Sequence, residues 1–192
     1  MIAGIPIIGI VLILAAVLIC IFLCTRKWLT RGERGEWAVA DDLEQSGLYY
    51  RERINNIRQA KIRGEVILAK PVLLLSLIDG VNEGVFSNNR FVLNGWLEKH
   101  YELLMGKYTK NSIFHKITPI NNPFWHLQSD GFWYLHYNGA QPTIINTPSV
   151  RWLEDNVNYA SFDDDLWTLL QDRTSRQQLR EFIVEHKLPK VK

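Results

Sequence analysis

The 192-residue sequence predicts an α+β fold, mostly helical with a small β-hairpin or sheet, behind a single N-terminal transmembrane helix. Three observations predict it. Residues 2–24 contain no charged side chain, whereas the 22 basic and 20 acidic residues all lie beyond them. Residues 70–84 form a long apolar run bounded by Pro71 and Gly84, the punctuation of a buried helix. Residues 123–136 read PFWHL-QSDG-FWYLH, two aromatic, strand-prone runs around a Ser-Asp-Gly turn, the pattern of a hairpin. Seven tryptophans and 47% hydrophobic residues exclude a disordered chain.

As a helix, residues 2–24 would extend ~35 Å, enough to cross a hydrocarbon core of about 30 Å. A cleaved signal peptide would need a cationic start and a small-residue cleavage site, and neither is present. Arg26, Lys27, Arg31 and Arg34 follow the apolar run, so the positive-inside rule places the C-terminal part in the cytoplasm of a single-pass inner or plasma membrane protein. Cys20 and Cys24 both lie in the anchor, which leaves the remainder without a disulfide or a Cys-based zinc site. The expected organisation is an anchor over 1–25, a basic juxtamembrane helix or linker over 26–64, and one domain over 65–192.

Beyond the anchor, Trp37, Ala40 and Leu43 have helical spacing, with Gly47 as a stop. Residues 54–63 read as a short basic helix or linker, and Arg51, Arg53, Arg58, Lys61 and Arg63 suit anionic lipid headgroups. The run after Pro71 is apolar on most faces and is expected at the core. A short strand is expected over 90–93, a helix from Trp96 to Gly106, and a basic loop over 107–121. One turn at Trp152–Leu153 follows, then a helix over 163–170 with acidic residues in its first turn, and a last helix over 176–186 capped by Ser175.

The chemistry of enzymes is poorly represented. There is no GxSxG, no phosphate loop and no H-x3-H pair. Asp163, Asp164 and Asp165 point about 100° apart on a helix, so they suit capping rather than a metal. No cofactor or metal is expected. Between Lys99 and Lys116, four lysines and two histidines alternate with Tyr101, Tyr108 and Phe114, a composition that suits nucleic acid or a solvated loop anchored by its rings.

Three blocks resemble a known family. Lys70-Pro71-Val72-Leu73-Leu74-Leu75 is similar to the K-P-x-L-L-L opening of the N-terminal DNA-binding domain of HNH restriction endonucleases, a group that includes the sulfur-binding domains of modification-dependent enzymes. Residues 123–133 resemble its P-F-W/F-x-L-x-x-D-G-x-W signature, and residues 160–189 resemble its closing helices. The resemblance covers about residues 66–190 and implies DNA binding, including modified duplexes such as phosphorothioate DNA. Sulfur-binding members carry an aromatic-Pro pair and a small residue in the third block, where this chain has Phe162-Asp163 and Leu166. The nuclease part of the family, with its Cys/His metal ligands, does not follow, so a recognition module without catalysis is expected. Residues 1–45, with Gly32-Glu33-Arg34-Gly35-Glu36, resemble the start of membrane-anchored nuclease-related (NERD) proteins.

The candidate DNA contacts are Lys70, Lys99, Lys107, Lys110, His115, Lys116, His126 and Gln128. His126 is open to two readings, a ligand contact or a satisfied structural histidine, and Asp130-Gly131 are read as a turn. The expected function is a membrane-anchored, non-catalytic DNA-binding module of a prokaryotic defence or restriction-like system. The expected partners are DNA, the lipid bilayer and a separately encoded nuclease. A scaffold that shows an aromatic surface to a protein is the alternative.

Overall fold

The computed structural model describes residues 41–110, 117–141, 143 and 146–190. The anchor over 1–25, Cys20, Cys24, the NERD-like stretch, His115 and Lys116 lie outside the described residues. Among the described residues no helix is long and apolar enough to cross a membrane. A compact unit extends from Glu44 to Lys192.

The unit is α+β and mostly helical. Helix α1 (residues 41–55) leads to a small antiparallel hairpin of β1 (Lys61–Ile62) and β2 (Glu65–Val66), then to α2 (Ala69–Asn82) and α3 (Gly95–Thr109). A helix α4 (Asn121–His126) continues as a 3-10 turn (Leu127–Asp130) into β3 (Trp133–Tyr137). Then come α5 (Val150–Asn156), β4 (Val157–Phe162), α6 (Asp164–Gln171) and α7 (Arg173–Lys187).

Helix α2 is the axis of the core. Every residue from Ala69 to Gly80 is buried, because α3, α4 and α7 surround it; no solvated face is left to demand amphipathic spacing. Its run ends where Gly84 takes φ +76, the left-handed conformation glycine adopts without cost. Gly80 lets Phe86 fold back onto the helix: a Cβ there would lie 2.6 Å from the Phe86 ring and 3.0 Å from Trp96.

The second part of the core is aromatic. Strands β3 and β4 pair antiparallel, Trp133 opposite Phe162 and His136 opposite Tyr159. Behind them Phe91 packs edge-on against Phe162 at 4.9 Å and Phe86 at 5.0 Å, and Phe124 meets Trp133 at 5.3 Å. The Trp133 indole N–H donates to the Phe124 carbonyl at 2.9 Å, which satisfies its one donor inside the core. Asn89 extends the sheet edge by accepting from the Phe162 N–H and donating to its carbonyl, both at 2.9 Å.

Several sequence expectations need correction. The hairpin over 123–136 is instead α4 and a 3-10 turn followed by β3, whose partner is β4 and not residues 123–128. The reason is that Pro123 fits the first turn of a helix, and Gly131, at φ +78, caps the 3-10 turn rather than closing a hairpin. The helix expected to stop at Gly47 continues to residue 55, because Tyr50 and Ile54 are buried and pin its second half. Residues 56–66 are not helical; a two-residue turn, Arg63 at φ 48 and Gly64 at φ 87, closes β1–β2 as both positive angles require. Helix α3 passes through Gly106 to Thr109, held by buried Met105 and Tyr108. Residues 90–93 contribute one isolated bridge, Phe91 to Ala160, rather than a strand. Pro71 is the third residue of α2, not its first, and α7 begins at Arg173 with Asp172, not Ser175, as its cap.

Candidate nucleic-acid interface

The site is built around Asp130, the last residue of the 3-10 turn. Its Oδ2 lies 2.6 Å from Lys70 Nζ, in a pair whose side chains are only 11% and 4% exposed. Its Oδ1 accepts the Arg58 backbone N–H at 3.0 Å, and its carbonyl accepts Arg53 Nη2 at 2.8 Å. One residue therefore holds three basic residues that come from α1, the segment after it and the first turn of α2. Gly131 follows at φ +78, a conformation that side-chain-bearing residues rarely adopt, and a Cβ there would push aside the tip of Arg53, whose Nη2 would lie 2.5 Å away. Asp130-Gly131 is thus a helix terminus and an electrostatic hub, more than the turn the sequence suggests.

Lys70 is also within 3.3 Å of Ser129 Oγ, which in turn donates to the His126 carbonyl at 2.8 Å. A buried lysine paired this closely to a carboxylate is neutralised within the protein. It orders the turn and is not a spare cation. The spare charge at this place belongs to Arg58, whose side chain is exposed.

Two grooves flank the hub. One, of about 380 Å³, lies among Tyr49, Glu52, Arg53, Asn56, Arg58 and Ser129. The Arg53 Nη1 donates to the Tyr49 hydroxyl at 3.1 Å, with its guanidinium 5.6 Å from that ring, so the i, i+4 spacing on α1 orders it. The other groove, of about 330 Å³, has a polar side of Arg58, Gln59, Lys70, Asn122, His126 and Ser129, and an apolar wall of Ala60, Ile67 and Ala69. Both share Arg58 and Ser129.

His126 stands at the rim with Nε2 2.6 Å from Thr147 Oγ1. Partial desolvation, then the nearby Lys70 ammonium, holds its imidazole below the ordinary 6.5. At neutral pH it is a neutral hydrogen-bonding group beside the groove. Gln128, by contrast, donates to the Trp125 carbonyl at 2.9 Å and does not line either groove.

Of the sequence-predicted contacts, the structure brings together Lys70 and His126. Lys99, Lys107 and Lys110 are exposed on or just after α3 and do not line the grooves; Lys107 Nζ lies 5.2 Å from the Tyr108 ring centroid. The residues missed are Arg53 and Arg58, which the sequence places in a linker facing lipid. The available signal was the i, i+4 pair Tyr49–Arg53 within a dense basic stretch.

The third block is committed to packing and capping. Phe162 and Leu166 are buried. Asp163 Oδ1 accepts the Tyr50 hydroxyl at 2.6 Å and the Leu166 N–H at 3.0 Å. Burial pushes the Tyr50 phenol well up, and its bond to the Asp163 carboxylate adds to the effect.

A separate ionic cluster joins three helices. Asp79, in α2, is 7% exposed and receives Arg180 Nε from α7 at 2.6 Å and lies 3.0 Å from His100 Nε2 of α3. The His100 ring stacks on Trp96 at 4.6 Å. Arg180 is therefore a partner of a buried carboxylate; its hydrogen bond to Asp79 raises its pKa.

Residues 49–191 match the family model for the ScoMcrA-like, DNA sulfur-binding domain. No curated protein matches the chain.

Proposed function

As the chain belongs to the family of ScoMcrA-like DNA sulfur-binding domains, and so carries a DNA-binding module of a restriction-like system, we propose that it binds duplex DNA at the Asp130 hub and reads a backbone modification there. The observation that supports this reading most is the convergence of Arg53, Arg58 and Lys70 on one buried aspartate inside the matched span. Arg58 supplies the exposed charge for a phosphate oxygen. Asn122, Ser129 and neutral His126 supply hydrogen-bonding groups beside it, and such contacts set the position of a duplex.

The apolar wall suits a phosphorothioate. Sulfur in place of a non-bridging oxygen is larger and more weakly hydrated, so it gains from contact with Ala60, Ile67 and Ala69 while an oxygen keeps the Arg58 guanidinium. The anchor over 2–24, read from the absence of charge, would hold this module at the inner face of a membrane. Cleavage would be supplied by a separately encoded nuclease, with this chain as the non-catalytic reader.

The test is a gel shift of the full chain with paired duplexes, identical but for one phosphorothioate. Tighter, salt-sensitive binding of the modified duplex is expected. Equal affinity for both removes the modification reading, and metal-dependent cleavage by the purified chain alone contradicts the non-catalytic one.

A further inference from the structure

The outer face of the β3–β4 sheet carries a basic feature that the groove does not use. Strand alternation puts Tyr134 and His136 on the face opposite buried Trp133, and the register sets Ser161 beside Tyr134 and Tyr159 beside His136. The His136 ring stacks on Tyr159 at 4.2 Å and 17°, and its Nε2 lies 2.9 Å from Ser161 Oγ. The guanidinium of Arg90 lies 4.3 Å from the same Tyr159 ring centroid.

This contact orders Arg90 without using its N–H donors. A cation–π contact holds the guanidinium through the ring face, while the five donors of its planar fork stay in the guanidinium plane. Other ordered cations differ. Lys70 is taken by Asp130, Arg180 by Asp79, and Arg51 by Gln178. Among the described residues no carboxylate, carbonyl or amide oxygen accepts from the exposed Arg90 side chain. An arginine already ordered, with its donors unspent, gives up little conformational freedom when an anion arrives, and its fork fits phosphate oxygens.

We propose that Arg90, laid on Tyr159 and backed by His136, is a second backbone-phosphate contact for bound duplex DNA. The inference rests on the DNA-binding reading above and extends its surface. Tyr134, 47% exposed, connects the two places: its hydroxyl donates at 3.2 Å to the carbonyl of Gly131, the residue that follows Asp130.

The experiment is fluorescence anisotropy of the full chain with a plain duplex across a salt series, for wild type, Arg90→Ala, Arg90→Lys and Tyr159→Leu. Loss of one phosphate contact is expected to weaken Arg90→Ala uniformly across DNA sequences and to reduce the salt slope by about 1. Arg90→Lys keeps the charge and should restore most of the slope. Tyr159→Leu keeps the charge but releases the guanidinium, so affinity falls with the slope little changed. Wild-type binding with an unaltered affinity and slope in Arg90→Ala overturns this inference and leaves the groove reading intact. Failure of the wild type itself to bind overturns both. Thermal melting of each variant separates loss of contact from loss of fold.

Discussion

Asp130 concentrates the energetics of the site in one side chain. Removing a partner of a buried pair leaves the other charge uncompensated, and Lys70 is only 11% exposed in its side chain. Asp130→Ala is therefore expected to cost about 3 kcal/mol and to lower Tm by roughly 10 °C; Asp130→Asn, which keeps an acceptor for the Arg58 N–H, should cost less. An unchanged melting curve for Asp130→Ala would show that the hub is decorative. His126 makes a second prediction at this scale. Its folded pKa lies below 6.5, so the unfolded chain binds more protons between the two values. Its contribution is intact above pH 6.5 and is lost as pH falls from there toward the folded value. An NMR titration of its ring should give a midpoint below 6.5, and a midpoint at or above 6.5 contradicts the placement beside Lys70.

Elements were legible where local chemistry decides and obscure where distant partners decide. Helix α2 could be read because a mostly apolar run between proline and a terminal glycine has few other uses, and Asp163 could be read as the cap of α6 because its carboxylate accepts the Leu166 N–H. The 123–131 stretch misled because proline and Asp-Gly serve helix ends as well as hairpins. The true partner of β3 begins at Val157, and alternation within β3 carries no information about it. Half of the site was hidden for the same reason: Lys70 and His126 were visible as polar residues within motifs, but nothing local shows that Asp130 gathers Arg53 and Arg58 from 77 and 72 residues away. Packing of α2 gives a prediction of its own. Gly80→Ala sets a methyl 2.6 Å from the Phe86 ring, so it should destabilise by about 1–3 kcal/mol despite alanine's better helix propensity. Chemical denaturation reads this directly, and a stabilised variant would mean that Phe86 can swing away.

Taken as a whole, the molecule joins an uncharged N-terminal segment to a DNA-reading unit in which Lys70 and Arg180 are neutralised by the Asp130 and Asp79 carboxylates. The small net charge of +2 is then no argument against DNA. What matters is which cations remain unpaired at the surface and how firmly they are held. Arg58 at the shared edge of two grooves and Arg90 on its tyrosine meet that condition, while Lys70, Arg53 and Arg180 shape the protein. The most direct measurement is the salt dependence of duplex affinity for the full chain and for Arg58→Ala. Salt-sensitive wild-type binding, with a slope that falls by about 1 when Arg58 is removed, is the expected result. Wild-type binding that is absent, or a slope that Arg58→Ala leaves unchanged, contradicts the assignment of DNA to the Asp130 groove.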